Sequence, residues 1–176
     1  MTVWIIVALF SYFLQASALF FDEFFFHMKR GLPRWERIGH PLDTLTVLAV
    51  NAVTLLAQFS SQSLLIFLSL AMFSCMFVTK DEWVHQRECE AAEHWLHAVL
   101  FVCHPMTFAS SVFFWLLRDS PLLLGVDGEY FSLASNILRG QFTLLLIFLS
   151  YQIIYWNVFR SRAADSDARL SLQERQ

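Results

Sequence analysis

The chain has 176 residues, of which 57% are hydrophobic, 16% aromatic and only 15% charged, with a formal net charge of −3 at pH 7. A soluble domain of this size carries about a quarter charged residues, so the composition excludes an ordinary water-soluble globule. No basic, aromatic-interleaved surface supports nucleic-acid binding. Cys75, Cys89 and Cys103 include no CxxC pair and cannot all pair with one another, which points to reduced thiols and speaks against an iron–sulfur cluster.

Residues 3–26 form the first apolar run, interrupted by Gln15 and, near its end, Asp22 and Glu23. At about 1.5 Å per residue such a helix crosses a hydrocarbon core of about 30 Å. It lacks a basic n-region and is too long and aromatic for a cleaved signal peptide, so it reads as a retained first helix. A basic linker follows, with Lys29, Arg30, Arg34 and Arg37 among the breakers Gly31, Pro33 and Gly39. These cations read as interfacial anchors that snorkel into headgroups.

Pro41, a residue type favoured at the first helical position, starts the second segment, 41–59, which carries Asp43, Thr44, Thr46, Asn51 and Thr54. The short turn Ser60–Ser61–Gln62 makes a tight hairpin with the third segment, 63–78. The most polar stretch, Thr79–Glu93, precedes the fourth segment, 91–117. A loop from Arg118 to Asn136, with Pro121, Gly125 and Gly128, leads to the fifth, 137–159, and residues 160–176 form a polar tail. The expected architecture is an all-α integral membrane protein: one domain, 1–159, of about five transmembrane helices.

Lys and Arg in short loops set the orientation. They crowd the loops after the first and third segments and the tail, while the opposite side has only Arg118 and Arg139. The N-terminus is expected outside and the C-terminus in the cytoplasm. Trp35, Trp83, Trp95, Tyr155 and Trp156 then fall near the inner interface. Nothing reads as an organelle signal, so a bacterial inner membrane is the expected location.

Under this topology all six histidines, His27, His40, His85, His94, His97 and His104, lie in the inner half of the membrane or on its cytoplasmic side. Carboxylates accompany them at helical spacing: Glu23 with His27, Glu82 with His85, Glu90 with His94, and Glu93 with His97. On the fourth segment Glu90, Glu93, His94, His97 and His104 fall within roughly 100° of arc. His40 and Asp43 bracket Pro41. Asp22 reads equally as a solvated helix end or a ligand. Pro105 removes a helix hydrogen bond and frees the carbonyl of Phe101, so a kink there would open space beside His104.

Imidazole with carboxylate suits iron, zinc or manganese. Glu23, His27, His40, Glu82, His85, Glu90, His94, His97 and His104 are therefore the candidate metal ligands, with Glu93 and Asp43 as candidate acid–base groups. Plain interfacial histidines are the bland alternative. A haem held by two histidines would leave the carboxylates unexplained.

The cytoplasm-facing histidine set resembles, in kind, that of membrane fatty-acid desaturases and hydroxylases, although the HxxxH and HxxHH boxes of those families are absent; Glu93–His94–Trp95–Leu96–His97 has HxxH alone. The Glu82-x-x-His85 spacing is similar to that of ferritin-like carboxylate enzymes. The zinc membrane hydrolases of the alkaline ceramidase and adiponectin-receptor group offer a looser likeness, with seven helices against five. No family is assigned.

These resemblances and the ligand set imply a non-haem oxidoreductase with two irons, acting on a membrane lipid or other apolar substrate and needing a redox partner. A zinc hydrolase of a lipid ester or amide is the alternative, and a non-enzymatic subunit or proton- or ion-handling protein the third reading. Whether five helices stand alone or pair as a homo-oligomer is left open.

Overall fold

The computed structural model describes residues 1–82, 85, 86 and 89–160. Trp83, Arg87, Glu88 and the tail from residue 161, with Arg162, Arg169 and Arg175, lie outside the described residues. The described chain is helical, and five helices are long and apolar enough to cross a membrane.

Helix α1 spans Thr2–Phe21, widens into a π-helical turn at Asp22–His27 and closes with a last turn at Met28–Arg30. Gly31, at φ 81°, ends it in a conformation that side-chain-bearing residues rarely adopt. Helix α2 spans Arg34–Leu56. It begins at Arg34 and not at Pro41, because extended Pro33 caps it and Glu36 sits in the first turn, where the helix dipole favours a carboxylate. Pro41 is thus internal and cannot donate to the carbonyl of Arg37. Asn157 Nδ2 donates to that carbonyl instead, at 3.2 Å, so the proline's lost hydrogen bond is replaced from another helix.

Helix α3 spans Ser61–Phe77 and opens on a capping box, in which Ser63 N donates to Ser60 Oγ and Ser60 N to Ser63 Oγ. A tighter turn, Val78–Asp81, leads towards helix α4, Ala91–Asp119. Helix α5 spans Phe131–Ile154 and ends in a second π-helical turn, Tyr155–Phe159. Its start precedes the expected 137, because the last loop breaker is Gly128 and buried Ala134 and Leu138 complete a cluster with Ile5, Ala8, Tyr12, Phe114 and Leu117.

Helix α4 touches all four other helices, and α2 packs against α3 and α5. Small and hydroxylated residues make these approaches close. Ser11 pairs with Ser110 and Tyr12 with Ser111, each at 2.8 Å, joining α1 to α4. Ser111 also donates to Asn51 of α2 at 3.1 Å, and Thr44 of α2 donates to Gln152 of α5 at 2.7 Å. Where helices pack in lipid, such bonds contribute about 0.6 kcal/mol each, and Trp4, Phe10, Phe13 and Met72 are exposed on the outside of the bundle.

Arg118 fastens the end of the bundle where α2 and α4 finish. It donates to the carbonyls of Leu55 and Ala57 and pairs with Asp119, which accepts from Phe59 N. Two carbonyls at the C-terminal end of α2 are thereby satisfied by Arg118, and Trp115 Nε1 also donates to that of Ala57, at 3.0 Å. The polar residues of the site gather at the other end.

Candidate metal centre

Four histidines from four separate segments stand face to face at that end. The ring centroids of His27 and His40 are 4.8 Å apart, those of His85 and His97 4.2 Å, those of His27 and His97 6.3 Å, and those of His40 and His85 6.4 Å. His27 comes from the π turn of α1, His40 from α2, His85 from the segment before α4, and His97 from α4 itself. The carboxylates Asp22, Glu23, Glu36 and Glu93 are buried among them.

The π turn explains why α1 supplies three groups at once. In an α-helix Asp22 and His27 diverge around the axis, whereas an i→i+5 ladder brings residues five apart onto one face. Asp22, Glu23 and His27 are accordingly all buried, with Asp22 Oδ2 3.4 Å and Glu23 Oε2 3.3 Å from the ring nitrogens of His27. The second π turn meets the first: Trp156 Nε1 donates to Glu23 Oε1 at 2.6 Å, and Tyr151 OH donates to the same oxygen at 2.9 Å. Trp156 is therefore a buried partner of the site and not part of an exposed aromatic belt.

Arg30 is no snorkelling anchor. Its guanidinium bridges Glu36 Oε2 at 3.0 Å and Glu93 Oε1 at 2.9 Å, both on fully buried side chains. Lys80 is likewise spent on Asp43, at 2.7 Å. With neutral imidazoles, the four buried carboxylates and the one guanidinium leave a net charge of −3 in an apolar bundle. Uncompensated buried charge costs several kcal/mol per ion, which protonated imidazoles or a bound cation would relieve.

Three groups of side chains bring ligand atoms within 4.8 Å of one another: Asp22, His27, Glu93 and His97; His27, Glu36 and His40; and His85, Cys89 and His97. These residues, buried except for half-buried His40 and Cys89, could hold a metal ion. The groups differ in what their atoms already do. Within the first, Asp22 Oδ1 is bonded to His97 Nε2 at 2.9 Å and Glu93 is held by Arg30. In the second, His27 Nε2, Glu36 Oε1 and His40 Nε2 are buried with no hydrogen-bond partner. Buried nitrogen and oxygen atoms normally find partners, and two imidazoles with one carboxylate form the facial set that non-haem iron takes. In the third group His97 Nδ1 is unpartnered, and the Cys89 thiol is pushed up to about 12 by burial and by the neighbouring Glu93 carboxylate, partly offset by Arg30.

The other residues singled out in the sequence fall outside these groups. Glu90 is the exposed N-cap of α4, and His94 and Glu82 are half-buried. Of the histidines and carboxylates on α4, Glu93, His97 and His104 are the buried ones, a stripe of about 40° at α-helical spacing. His104 lies deeper, with Nε2 3.0 Å from Ser74 Oγ, and Ser74 in turn bonds Thr46 at 2.7 Å. Glu36 was missed because the linker hid it. Its place three residues after Pro33, in a helical first turn, was the available signal.

A mainly apolar cavity of about 90 Å³ adjoins the cluster, room for several waters or part of a chain. Asp22, His40, His85 and His97 line it on the metal side, and it reaches His104 and Phe101 beside Pro105. Gln15 also lines it, with its buried carbonyl oxygen unpartnered. No family model, curated protein or solved structure matches the chain.

Proposed function

We propose that this chain is a membrane-embedded non-haem iron oxidoreductase acting on an apolar, lipid-like substrate. The observation that carries the reading is the trio of buried atoms without a hydrogen-bond partner, His27 Nε2, His40 Nε2 and Glu36 Oε1, on residues whose ligand atoms converge; Asp22 Oδ2 stands 3.4 Å from His27 Nε2, and His85 Nε2 3.8 Å from Glu36 Oε1. One iron is assigned to this trio, instead of two on mixed Glu-x-x-His ligands.

Each ligand is oriented from behind. Glu23 faces His27 Nδ1 and would hold its Nε2 lone pair towards the ion, while Arg30 ties down the second oxygen of Glu36. Iron with open coordination positions supplies oxygen activation. O₂ accepts four electrons on the way to water, two from a substrate C–H bond and two from an external donor, so a redox partner is required. The cavity supports an apolar substrate, because its walls are mainly apolar and its polar groups cluster near the histidines. Gln15, with its free acceptor, would fix a hydroxyl or amide of that substrate.

The chain is taken to cross the membrane five times, with the site at the cytoplasmic face. Lys29, Arg30, Arg34 and Lys80 sit at the site's end of the helices, as the positive-inside pattern requires.

The test is metal analysis of protein purified in mild detergent without chelators. About one iron per chain, lost in both His40→Ala and Glu36→Gln, is the expected result and leads to O₂-uptake assays with lipid extracts. Zinc alone at these residues would replace oxidation with hydrolysis. Absence of stoichiometric metal after attempted reconstitution would overturn the enzyme reading.

A further inference from the structure

We propose that His85, Cys89 and His97 form a second, chemically distinct metal position, suited to a thiophilic divalent ion such as zinc, beside the iron trio. One ligand atom from each of these residues lies within 4.8 Å of the others. The rings of His85 and His97 are 4.2 Å apart and both side chains are buried. Cys89 N donates to the carbonyl of His85 at 2.9 Å.

His97 is the informative residue. It is 4% exposed, its Nε2 pairs with Asp22 Oδ1 at 2.9 Å, and its Nδ1 has no partner. A carboxylate on one ring nitrogen fixes the tautomer, placing the proton on Nε2 and a lone pair on Nδ1. That is how metal-bound histidine is normally held. Asp22 therefore acts on this position through His97.

The sulfur separates this position from the trio. Thiolate with imidazole selects zinc or cobalt, whereas carboxylate with imidazole suits iron. Arg30 Nη2 lies 3.7 Å from Cys89 Sγ, a counter-charge for a thiolate. With a divalent ion at each position and Cys89 as thiolate, the cluster's net charge falls to zero. Three protein ligands leave a fourth coordination place, and His85 and His97 both line the cavity, so that place faces the substrate space.

The assignment does not require iron at the trio, and one experiment separates the two. Full-length protein in mild detergent, stripped with a chelator, is titrated with Co²⁺, and the thiolate-to-cobalt charge-transfer absorption in the near ultraviolet is recorded. The expected result is one equivalent of band-forming cobalt in the wild type and in a Cys75→Ser/Cys103→Ser variant. The band should be absent in Cys89→Ser and retained in His40→Ala. Asp22→Asn, which keeps all three ligands, should weaken cobalt binding about 10–100-fold. No band in the wild type, or a band that survives Cys89→Ser, overturns the second position. A band in wild-type protein that neither purifies with iron nor takes it up on reconstitution overturns only the trio.

Discussion

Replacing Arg30 with methionine removes the one cation between two buried carboxylates and tests whether this end of the bundle is organised by charge. Arg30 touches Glu36 at 3.0 Å and Glu93 at 2.9 Å, and the carboxylate side chains are 0% and 2% exposed. At separations of about 4 Å and an effective dielectric of about 20, each pair contributes roughly 4 kcal/mol of gross attraction. Desolvation of the guanidinium offsets much of it. Removing one partner of a buried pair costs about 3–5 kcal/mol, because the other charge stays buried and alone. Metal-free Arg30→Met is therefore expected to lose about 3–5 kcal/mol, read by thermal unfolding in detergent with circular dichroism. Adding Glu36→Gln should restore part of that loss, and a divalent ion should restore more to the variant than to the wild type. An interfacial anchor would cost no more than about 0.5 kcal/mol. A loss below about 1 kcal/mol, with no coupling to Glu36→Gln, would refute the reasoning.

Glu23→Gln weakens the hold on His27 Nδ1 and should lower iron affinity about 10–100-fold in chelator competition; unchanged affinity would detach His27 from the ligand set. The Cys89 thiol, raised to about 12, stays protonated at neutral pH, with a thiolate fraction on the order of one in ten thousand at pH 8. Alkylation of this residue in stripped protein should therefore climb about tenfold per pH unit through pH 10, and a plateau near pH 9 would contradict the burial. Asn157→Ala leaves the Arg37 carbonyl without its donor and should cost about 0.5–1.5 kcal/mol. In a Pro41→Ala background, where the backbone can donate again, that cost should shrink; equal costs in a double-mutant cycle would remove the role given to Asn157.

The five apolar segments and the gathering of histidines at one end were legible from hydropathy and spacing, since those depend on local composition. The ligand set was less so. Asp22 was ambiguous because α-helical geometry was assumed, and the π turn at Asp22–His27 rotates it inward. Glu36 and Arg30 were hidden because Pro41 was taken as the start of α2, which turned a helical first turn into a basic linker. Glu90 and His94 were drawn in by an arc of roughly 100°, but Glu90 is the exposed N-cap of α4 and His94 is half-buried. Cys89 carried no sequence motif at all.

The two ligand sets share a property of chain order. His27, Glu36 and His40 surround the corner at Gly31–Pro33, and His85, Cys89 and His97 fall within residues 85–97. Each set is drawn from one short continuous stretch, so closing it costs little loop entropy. The first is complete once residue 40 has left the ribosome, long before the second has been made. Domains assemble in the order of synthesis, so if each set holds an ion as proposed, each stretch could take its own as it is made, with Arg30 and the Asp22–His97 contact joining the two later.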